Sequence, residues 1–556
     1  MSVKPSLSSP SGSSAPTAAH APVPETAKDT LISIIIAFAL AFVFRGFVIE
    51  AFVIPTGSMA PTLMGAHMKF RSSESGYEWA VDPWQPGPPQ DPSQYPSPQR
   101  DVHVNDPMSG EAIRAAQVPL HAGDRILVLK YLYTVAEPQR WDVIVFKNPT
   151  EPSINYIKRL IGLPGEEIAL VDGDVFVRSA AKAAADASAG NGSLAWAQPG
   201  WTIARKPRLS QRSVWQPVYD ATFAPLNSQW ERTPFTPSDP AGWKVVGQSY
   251  QHDKADHTEL KFDQSKLRFA EPIRENWTLD DRYPYNQKRQ EAARFPDADL
   301  RLRAGIEPKA EGLKVEVRLE ARRHEFVATI SGTTVSLGMR HLVGPAGLRA
   351  ALKPLATSTI APLKPGRVYN VEFCHVDQSM QVWIDGTLVA HGEYDWSPAE
   401  RVEYATGNPL TELITQQNGV FMNVLANNRE YQKPEIKWVF EGAPLNMYRS
   451  AVDRDLYYQP ATYPRLGGPA LATSPTRPLV LKADEFFACG DNSPASLDGR
   501  LWDTVDPWIA QEFHPPIGIV PRDLLLGRAF FVYWPSLRYN APMVPVPDFG
   551  RMRFIW

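Results

Sequence analysis

Cysteine is scarce in this chain of 556 residues: only Cys374 and Cys489 are present. That excludes a disulfide-dense scaffold and a four-cysteine zinc site, and nothing in the sequence shows that the two thiols meet. Positive charge is not in excess either. Lys and Arg number 57 against 60 Asp and Glu, a net charge of −3, so no nucleic-acid partner is implied. Long apolar runs are missing apart from one near the start. Proline, by contrast, is plentiful at 53 residues, close to twice the usual share of about 5%, which signals long irregular connections. The length exceeds one ordinary domain.

The apolar run begins at Leu31 and continues to Phe44 with Ser33 as its one polar residue; Arg45-Gly46-Phe47-Val48-Ile49 follows. About 20 apolar residues span a bilayer, and a terminal Arg reaches back to the interface. A cleaved signal peptide would need a small-x-small site after the run, which is absent. A buried soluble helix remains an alternative. The expectation is a transmembrane helix at 31–49 after a disordered, Ser/Pro/Ala-rich tail at 1–30. Lys4 and Lys28 are offset by Glu25 and Asp29, so charge orients the segment poorly.

Three short blocks carry candidate chemistry. The first is Ile54-Pro55-Thr56-Gly57-Ser58-Met59-Ala60-Pro61-Thr62-Leu63. A serine hydroxyl is a weak nucleophile that needs an adjacent base; here Gly57 permits a close turn and the flanking prolines stiffen it. The second block is Tyr156-Ile157-Lys158-Arg159-Leu160-Ile161-Gly162-Leu163-Pro164-Gly165. Burial in such an apolar strand lowers a lysine pKa and makes a base of it. Strand alternation sends Lys158 and Arg159 to opposite faces, so Lys158 is expected buried and Arg159 wet. The third block is Gly490-Asp491-Asn492, then Ser496-Leu497-Asp498-Gly499-Arg500. Taken singly, each block also reads as an ordinary turn or loop. Of 11 histidines, none lies in these blocks.

In this order, behind an apolar N-terminal segment, the blocks resemble type I signal peptidase, a serine protease. The resemblance covers some 150 to 180 residues and implies Ser58 as nucleophile and Lys158 as general base. It implies an oxyanion hole from the Ser58 N–H and the Thr56 hydroxyl, where Ser is more usual. Ser496 would hold the lysine amine, with Asp498 and Arg500 as an ion pair behind it and Asp491 and Asn492 shaping the turn. Ile54, Leu63, Tyr156 and Ile157 would line shallow apolar pockets; plain core positions are the alternative. Ser493-Pro494 and Gly499 depart from the family pattern. No metal and no cofactor is implied.

The fold class expected is mainly β: an antiparallel β catalytic core behind the helix, interrupted by an inserted β-sandwich. The core falls into three pieces, at 50–66, 119–180 and 480–556. A Pro-rich insertion at 67–118 contains Asp82 to Pro89 and two segments, Ser72 to Tyr77 and Asp106 to Gly110. Both resemble the Cys-x-x-Cys-Gly knuckles of a zinc ribbon with every sulfur replaced; chance explains this at least as well as descent, and hydroxyls are poor zinc ligands. Residues 181–214 and 456–479 read as linkers. Between them, 215–455 has period-two strands at 314–320 and 368–373 and an Asp385-Gly386 hairpin turn. It resembles a concanavalin-like or laminin-G-like jelly roll and is expected to fold separately, so that its removal leaves cleavage of a simple leader.

The function expected is a membrane-anchored serine endopeptidase that removes N-terminal signal peptides from exported preproteins. It would be a single-pass protein of the plasma (inner) membrane with its catalytic domain on the extracytoplasmic side. Preproteins and the lipid bilayer are its expected partners, and a ligand or protein for the insert stays open. Two alternatives stand: a membrane-anchored binding protein with an inert peptidase core, and a Ser/Lys self-cleaving regulator.

Overall fold

The computed structural model describes residues 27–83, 98–188, 192–227, 233–266, 279–288, 294–344, 348–412, 432–460, 468–535, 538–540, 544–546 and 549–556. Residues 1–26 of the expected disordered tail, most of the Pro-rich run and a portion of the 456–479 linker lie outside them, while 27–30, expected in that tail, are helical. Met1–Ile49 and Glu50–Trp556 are two compact units.

The first unit is the helix Ala27–Phe47. Leu31, Ile35, Phe38 and Phe42 on it are exposed. Among the described residues no helix is long and apolar enough to cross a membrane, so the transmembrane span expected at 31–49 is unsupported. Lys28, Asp29 and Arg45 bracket an uncharged stretch of about 22 Å at 1.5 Å per residue, against a hydrocarbon core of about 30 Å.

The second unit is mainly β. Among the described residues, the sheet that carries Lys158 has eight strands, with Arg125–Leu129, Leu525–Trp534, Val143–Asn148, Glu151–Gly162, Glu485–Cys489 and Val520–Pro521 as consecutive neighbours. Both faces are covered. Ile54, Met59, Leu63, Val143, Val145 and Ile157 pack on one side, and Ile144, Phe146, Leu160, Phe486 and Trp502 on the other. A strand buried on both faces reads as a continuous apolar run, as Leu160-Ile161 does after the Lys-Arg pair. A second, four-stranded sheet runs Thr202–Ile203, Asp174–Ser179, Glu166–Val171, Leu479–Val480.

Residues 181–214, expected as a linker, hold the end of the helix Ala180–Ser188 and the helix Arg208–Val214. Trp196, Trp201 and Ile203 from this stretch are buried in one core cluster. The alanine run favours helix, and two tryptophans supply the apolar area that a linker lacks.

The described residues of 216–454 build two further sheets, of eight and seven strands. Strands Leu300–Pro308, Tyr369–Val376 and Leu445–Arg454 belong to one; Lys314–Ala321, His324–Ser331 and Glu435–Glu441 belong to the other. A single apolar core joins residues of both sheets, among them Leu302, Phe373, Phe326 and Trp438. At the predicted hairpin, Asp385 and Gly386 both have positive φ, 49° and 77°, the conformation of a two-residue type I′ turn.

The 67–118 insertion is a small β module. Its hairpins are His67–Arg71 with Glu78–Val81 and Gln99–Asn105 with Ala112–Val118. Each knuckle-like segment closes a turn: Gly76 N donates to Ser72 O and Gly110 N to Asp106 O. Oxygen atoms fill the centre. Ser75 Oγ and Ser109 Oγ each lie 2.6 Å from Asp106 Oδ2, and Ser72 Oγ lies 2.7 Å from Glu111 Oε2.

Candidate active site

Ser58 sits in a one-turn 3-10 helix, Gly57–Met59, and is buried. The loop around it is anchored at both ends. Ile54 N donates to Asp124 O and Asp124 N to Met64 O, each at 2.9 Å. Met64 N in turn donates to the Asp124 carboxylate at 2.9 Å. Asp124 is not among the expected site residues; its signal is the Gly123-Asp124 pair just before a strand. Gly123 is required because a Cβ there would fall 1.8 Å from Ile54 O.

Lys158 comes from the strand Glu151–Gly162, where it pairs with Ile144 across the sheet. Its Nζ donates to Ser58 Oγ at 2.8 Å and to Ile157 O at 3.1 Å. The side chain is 3% exposed. Burial pushes its pKa down to about 8, against the opposing pull of the Asp498 carboxylate. The amine lies 4.9 Å from the centre of the Tyr156 ring.

Arg159 departs from expectation. It is 0% exposed, because the sheet is covered on both faces, and it forms paired hydrogen bonds of 2.7 Å to Asp491. Asp491 thus becomes the fixed end of the third block. Asn492 N donates to Ser58 O at 3.0 Å, and Asn492 Nδ2 donates to Gly57 O at 3.0 Å. Gly490 must be glycine: a Cβ there would lie 2.4 Å from Ser58 O and 2.2 Å from Ser496 Oγ.

Arg500 grips Asp498 at 2.9 and 2.8 Å, and Asp498 Oδ2 also accepts from Gly490 N at 2.9 Å. Burial alone would raise the Asp498 carboxyl; the Arg500 guanidinium overrides it and holds it below the usual range, with a smaller pull from the Ser496 hydroxyl. Ser496 is buried in this loop, and its Oγ makes no hydrogen bond of good geometry. The lysine contact expected of it is therefore not formed; Lys158 Nζ meets Ser58 Oγ and Ile157 O instead. Thr56 precedes the Ser58 turn in extended conformation and caps none of its N–H groups.

Ile54, Leu63 and Ile157 lie together in the apolar cluster beneath the Ser58 loop. Tyr156 faces the opposite side, against Phe146 and Trp502. The four expected pocket residues are thus split between the two faces of the sheet.

Among the described residues, Asp174, Asp299, Asp377 and Asp455 bring carboxylate oxygens within 4.8 Å of one another. Cations of the chain already occupy that space. Arg322 bridges Asp172 and Asp299 at 2.7 and 2.6 Å, Arg401 bridges Asp172 and Asp174 at 2.9 and 2.7 Å, and Lys206 meets Asp377 and Asp455 at 2.5 and 2.8 Å. These pairs also join residues of 215–455 to the four-stranded sheet. Cys374 and Cys489 are buried and unpaired.

The signal peptidase, peptidase S26 family matches residues 112–205 and 420–534, a range that includes Lys158 and Asp491 to Arg500 but not Ser58. Signal peptidase I of Rickettsia typhi is 30% identical over 154 residues, covering 28% of this chain and 44% of the relative. Signal peptidase I of Pseudomonas aeruginosa is 46% identical over 61 residues, 9% of this chain and 22% of the relative. The chain thus spans less than half the length of these curated relatives. Among solved structures, a Bacillus subtilis carbohydrate-binding module, CBM66, is similar with TM-score 0.22 and 9% identity, covering 40% of this chain and 96% of that one. Galectin LEC-6 of Caenorhabditis elegans is similar with TM-score 0.17 and 11% identity, covering 28% of this chain and 83% of that one. The concanavalin-like or laminin-G-like character expected of 215–455 gains no support at that level. The S26 match and the curated relatives make parts of this chain similar to type I signal peptidases.

Proposed function

We propose that this protein is a serine endopeptidase that uses a Ser58/Lys158 dyad to remove N-terminal signal peptides from exported preproteins. The observation that carries the reading is the 2.8 Å contact between Lys158 Nζ and Ser58 Oγ, made by a buried amine whose pKa is drawn down to about 8. At that value a useful fraction of the lysine is neutral near physiological pH and can accept a proton.

In the reaction, neutral Lys158 takes the Ser58 proton as Oγ attacks the carbonyl carbon of the last leader residue. The negative charge grows on the carbonyl oxygen. The Ser58 N–H is suited to receive it, because the first N–H groups of a helical turn lack intrahelical partners. The Thr56 hydroxyl is the second donor. Lys158 then passes its proton to the amine of the departing mature protein. Water, activated by the same amine, releases the leader from Ser58. The helix Ala27–Phe47, with exposed Leu31, Ile35, Phe38 and Phe42, seats the enzyme on the bilayer, with the catalytic unit on the extracytoplasmic side of the plasma membrane.

The test is incubation of the purified protein with a preprotein ending its leader in Ala-x-Ala, followed by mass spectrometry of the new N-terminus. Cleavage after that site by the native chain, and none by Ser58→Ala or Lys158→Ala, is the expected result. Undiminished cleavage by either variant refutes the dyad.

A further inference from the structure

Residues 279–288 belong to the inserted sequence, some 200 positions from either Ser58 or Asp491, yet they pack directly on the Ser58 turn. Asn286 and Asn492 exchange amide hydrogen bonds: Asn286 Nδ2 donates to Asn492 Oδ1 at 2.8 Å, and Asn492 Nδ2 donates to Asn286 Oδ1 at 3.0 Å. Tyr283 Oη donates to Asp491 O at 2.7 Å. The Tyr285 ring lies so close to Gly57 that a Cβ on that residue would sit 2.2 Å from its Cε1, and Tyr285 Oη donates to Ala66 O at 3.3 Å. All three side chains are buried.

These contacts bear on one peptide plane. The Gly57 carbonyl and the Ser58 N–H belong to the same planar unit and point in opposite directions. Fixing the Gly57 oxygen therefore fixes the direction of the Ser58 N–H. That oxygen is held by Asn492 Nδ2, and the Asn492 amide is held in turn by Asn286. A primary amide has two donors and an acceptor; with one amide hydrogen on Gly57 O and its carbonyl on Asn286, the Asn492 side chain has a single orientation that satisfies every contact. Tyr285 closes off the other side of the turn.

We infer that Asn286, Tyr283 and Tyr285 are positioning residues that aim the Ser58 N–H at the developing oxyanion, so that the inserted sequence completes the catalytic centre. The inference rests on Ser58 being the nucleophile. It places no atom of the insert on the substrate; the insert acts through Asn492 and the Gly57–Ser58 peptide.

The test uses the full chain with Asn286→Ala and Tyr283→Phe, and it measures kcat per active site after titrating the reactive serine with a covalent acylating inhibitor. A misdirected oxyanion donor lowers kcat per titrated site by roughly 10- to 100-fold for Asn286→Ala, with KM and the apparent pKa of the pH profile unchanged. Tyr283→Phe should give a smaller loss in the same parameter. In a double-mutant cycle, Asn286→Ala should add little to Asn492→Ala, because both act on one bond. If the variants lose only the titratable fraction and each remaining site turns over at the native rate, the contacts serve folding alone and the inference fails. If the native chain cleaves no preprotein, or Ser58→Ala cleaves as well as the native chain, the nucleophile assignment fails instead.

Discussion

Arg159 and Asp491 face each other through two hydrogen bonds of 2.7 Å, with their side chains 0% and 1% exposed. This pair ties the strand that carries Lys158 to the loop that supports Ser58. It also explains why adjacent residues Lys158 and Arg159 are both buried: one serves the serine turn and the other fixes the loop that braces that turn.

Removing one partner of such a pair leaves a buried charge uncompensated, at a cost of about 3–5 kcal/mol. Arg159→Ala should therefore lower the stability of the second unit by about that amount in a denaturant titration. Arg159→Met with Asp491→Leu should recover most of the stability, because no charge is stranded, while cleavage stays low through the displaced Asn492. Equal stability of native protein and Arg159→Ala would overturn this account of the pair.

Lys158 links activity to pH in a defined direction. Burial brings its amine down to about 8 from the ordinary 10.5. Cleavage should rise as pH passes through about 8 and then level off, measured as kcat/KM under conditions where chemistry limits the rate. A flat profile across that range would count against a titrating lysine.

The same shift has a consequence for stability. Below about pH 8 the lysine is protonated in both the folded and the unfolded state, and the folded state carries the cost of a buried charge. Between about 8 and 10.5 the unfolded state binds more protons, so stability rises with pH across that window. Lys158→Met should abolish cleavage yet stabilise the protein at about pH 7 by about 3 kcal/mol, and its advantage over the native chain should shrink as the medium becomes more alkaline. A variant less stable than the native chain at neutral pH would contradict this.

The three blocks that meet around Ser58 are legible in the sequence because each holds its polar residues in a short contiguous stretch. The sandwich is legible in part, since Asp385-Gly386 and the alternation at 314–320 are local signals. What the sequence does not disclose is mostly non-local. Arg159 looks like a solvated strand residue because nothing near it in sequence shows that both faces of its sheet are covered. Asn286 and Tyr283 stand in an irregular run, Arg282-Tyr283-Pro284-Tyr285-Asn286, whose meaning comes from residues over 200 positions away. The composition of 181–214 suggests a linker, but composition does not register how much area Trp196 and Trp201 can bury.

Those contacts reverse the sequence-based expectation about deletion. Replacing 185–475 with a flexible linker would remove Arg322 and Arg401, the cations on Asp172 and Asp174, together with Asn286 and Tyr283. Two buried carboxylates at one turn of the four-stranded sheet would then lose these cations. The deletion protein should be insoluble, or soluble with little cleavage of even a simple leader peptide. Near-native turnover by a folded deletion protein would show that the insert is dispensable to the centre.

The oxygen-filled module at 67–121 makes a separate prediction. Its two turns aim backbone N–H groups at side-chain oxygens: Ser75 N at Ser72 Oγ (2.9 Å), Tyr77 N at Ser75 Oγ (3.1 Å), Met108 N at Asp106 Oδ1 (2.8 Å) and Glu111 N at Ser109 Oγ (3.2 Å). This is how a zinc knuckle directs its amides at thiolates. Here the Asp106 carboxylate, accepting from Ser75 and Ser109, takes the central place. Because the backbone is already arranged, four substitutions should suffice to install a metal: Ser72→Cys, Ser75→Cys, Asp106→Cys and Ser109→Cys in one chain. That variant should bind one Zn(II) per molecule and show the charge-transfer and d–d bands of tetrahedral thiolate coordination when loaded with Co(II). The native chain, offering hydroxyls and the Asp106 and Glu111 carboxylates, should bind neither tightly. Octahedral Co(II) spectra, or no stoichiometric binding by the folded variant, would show that the two turns do not converge as a ribbon's do.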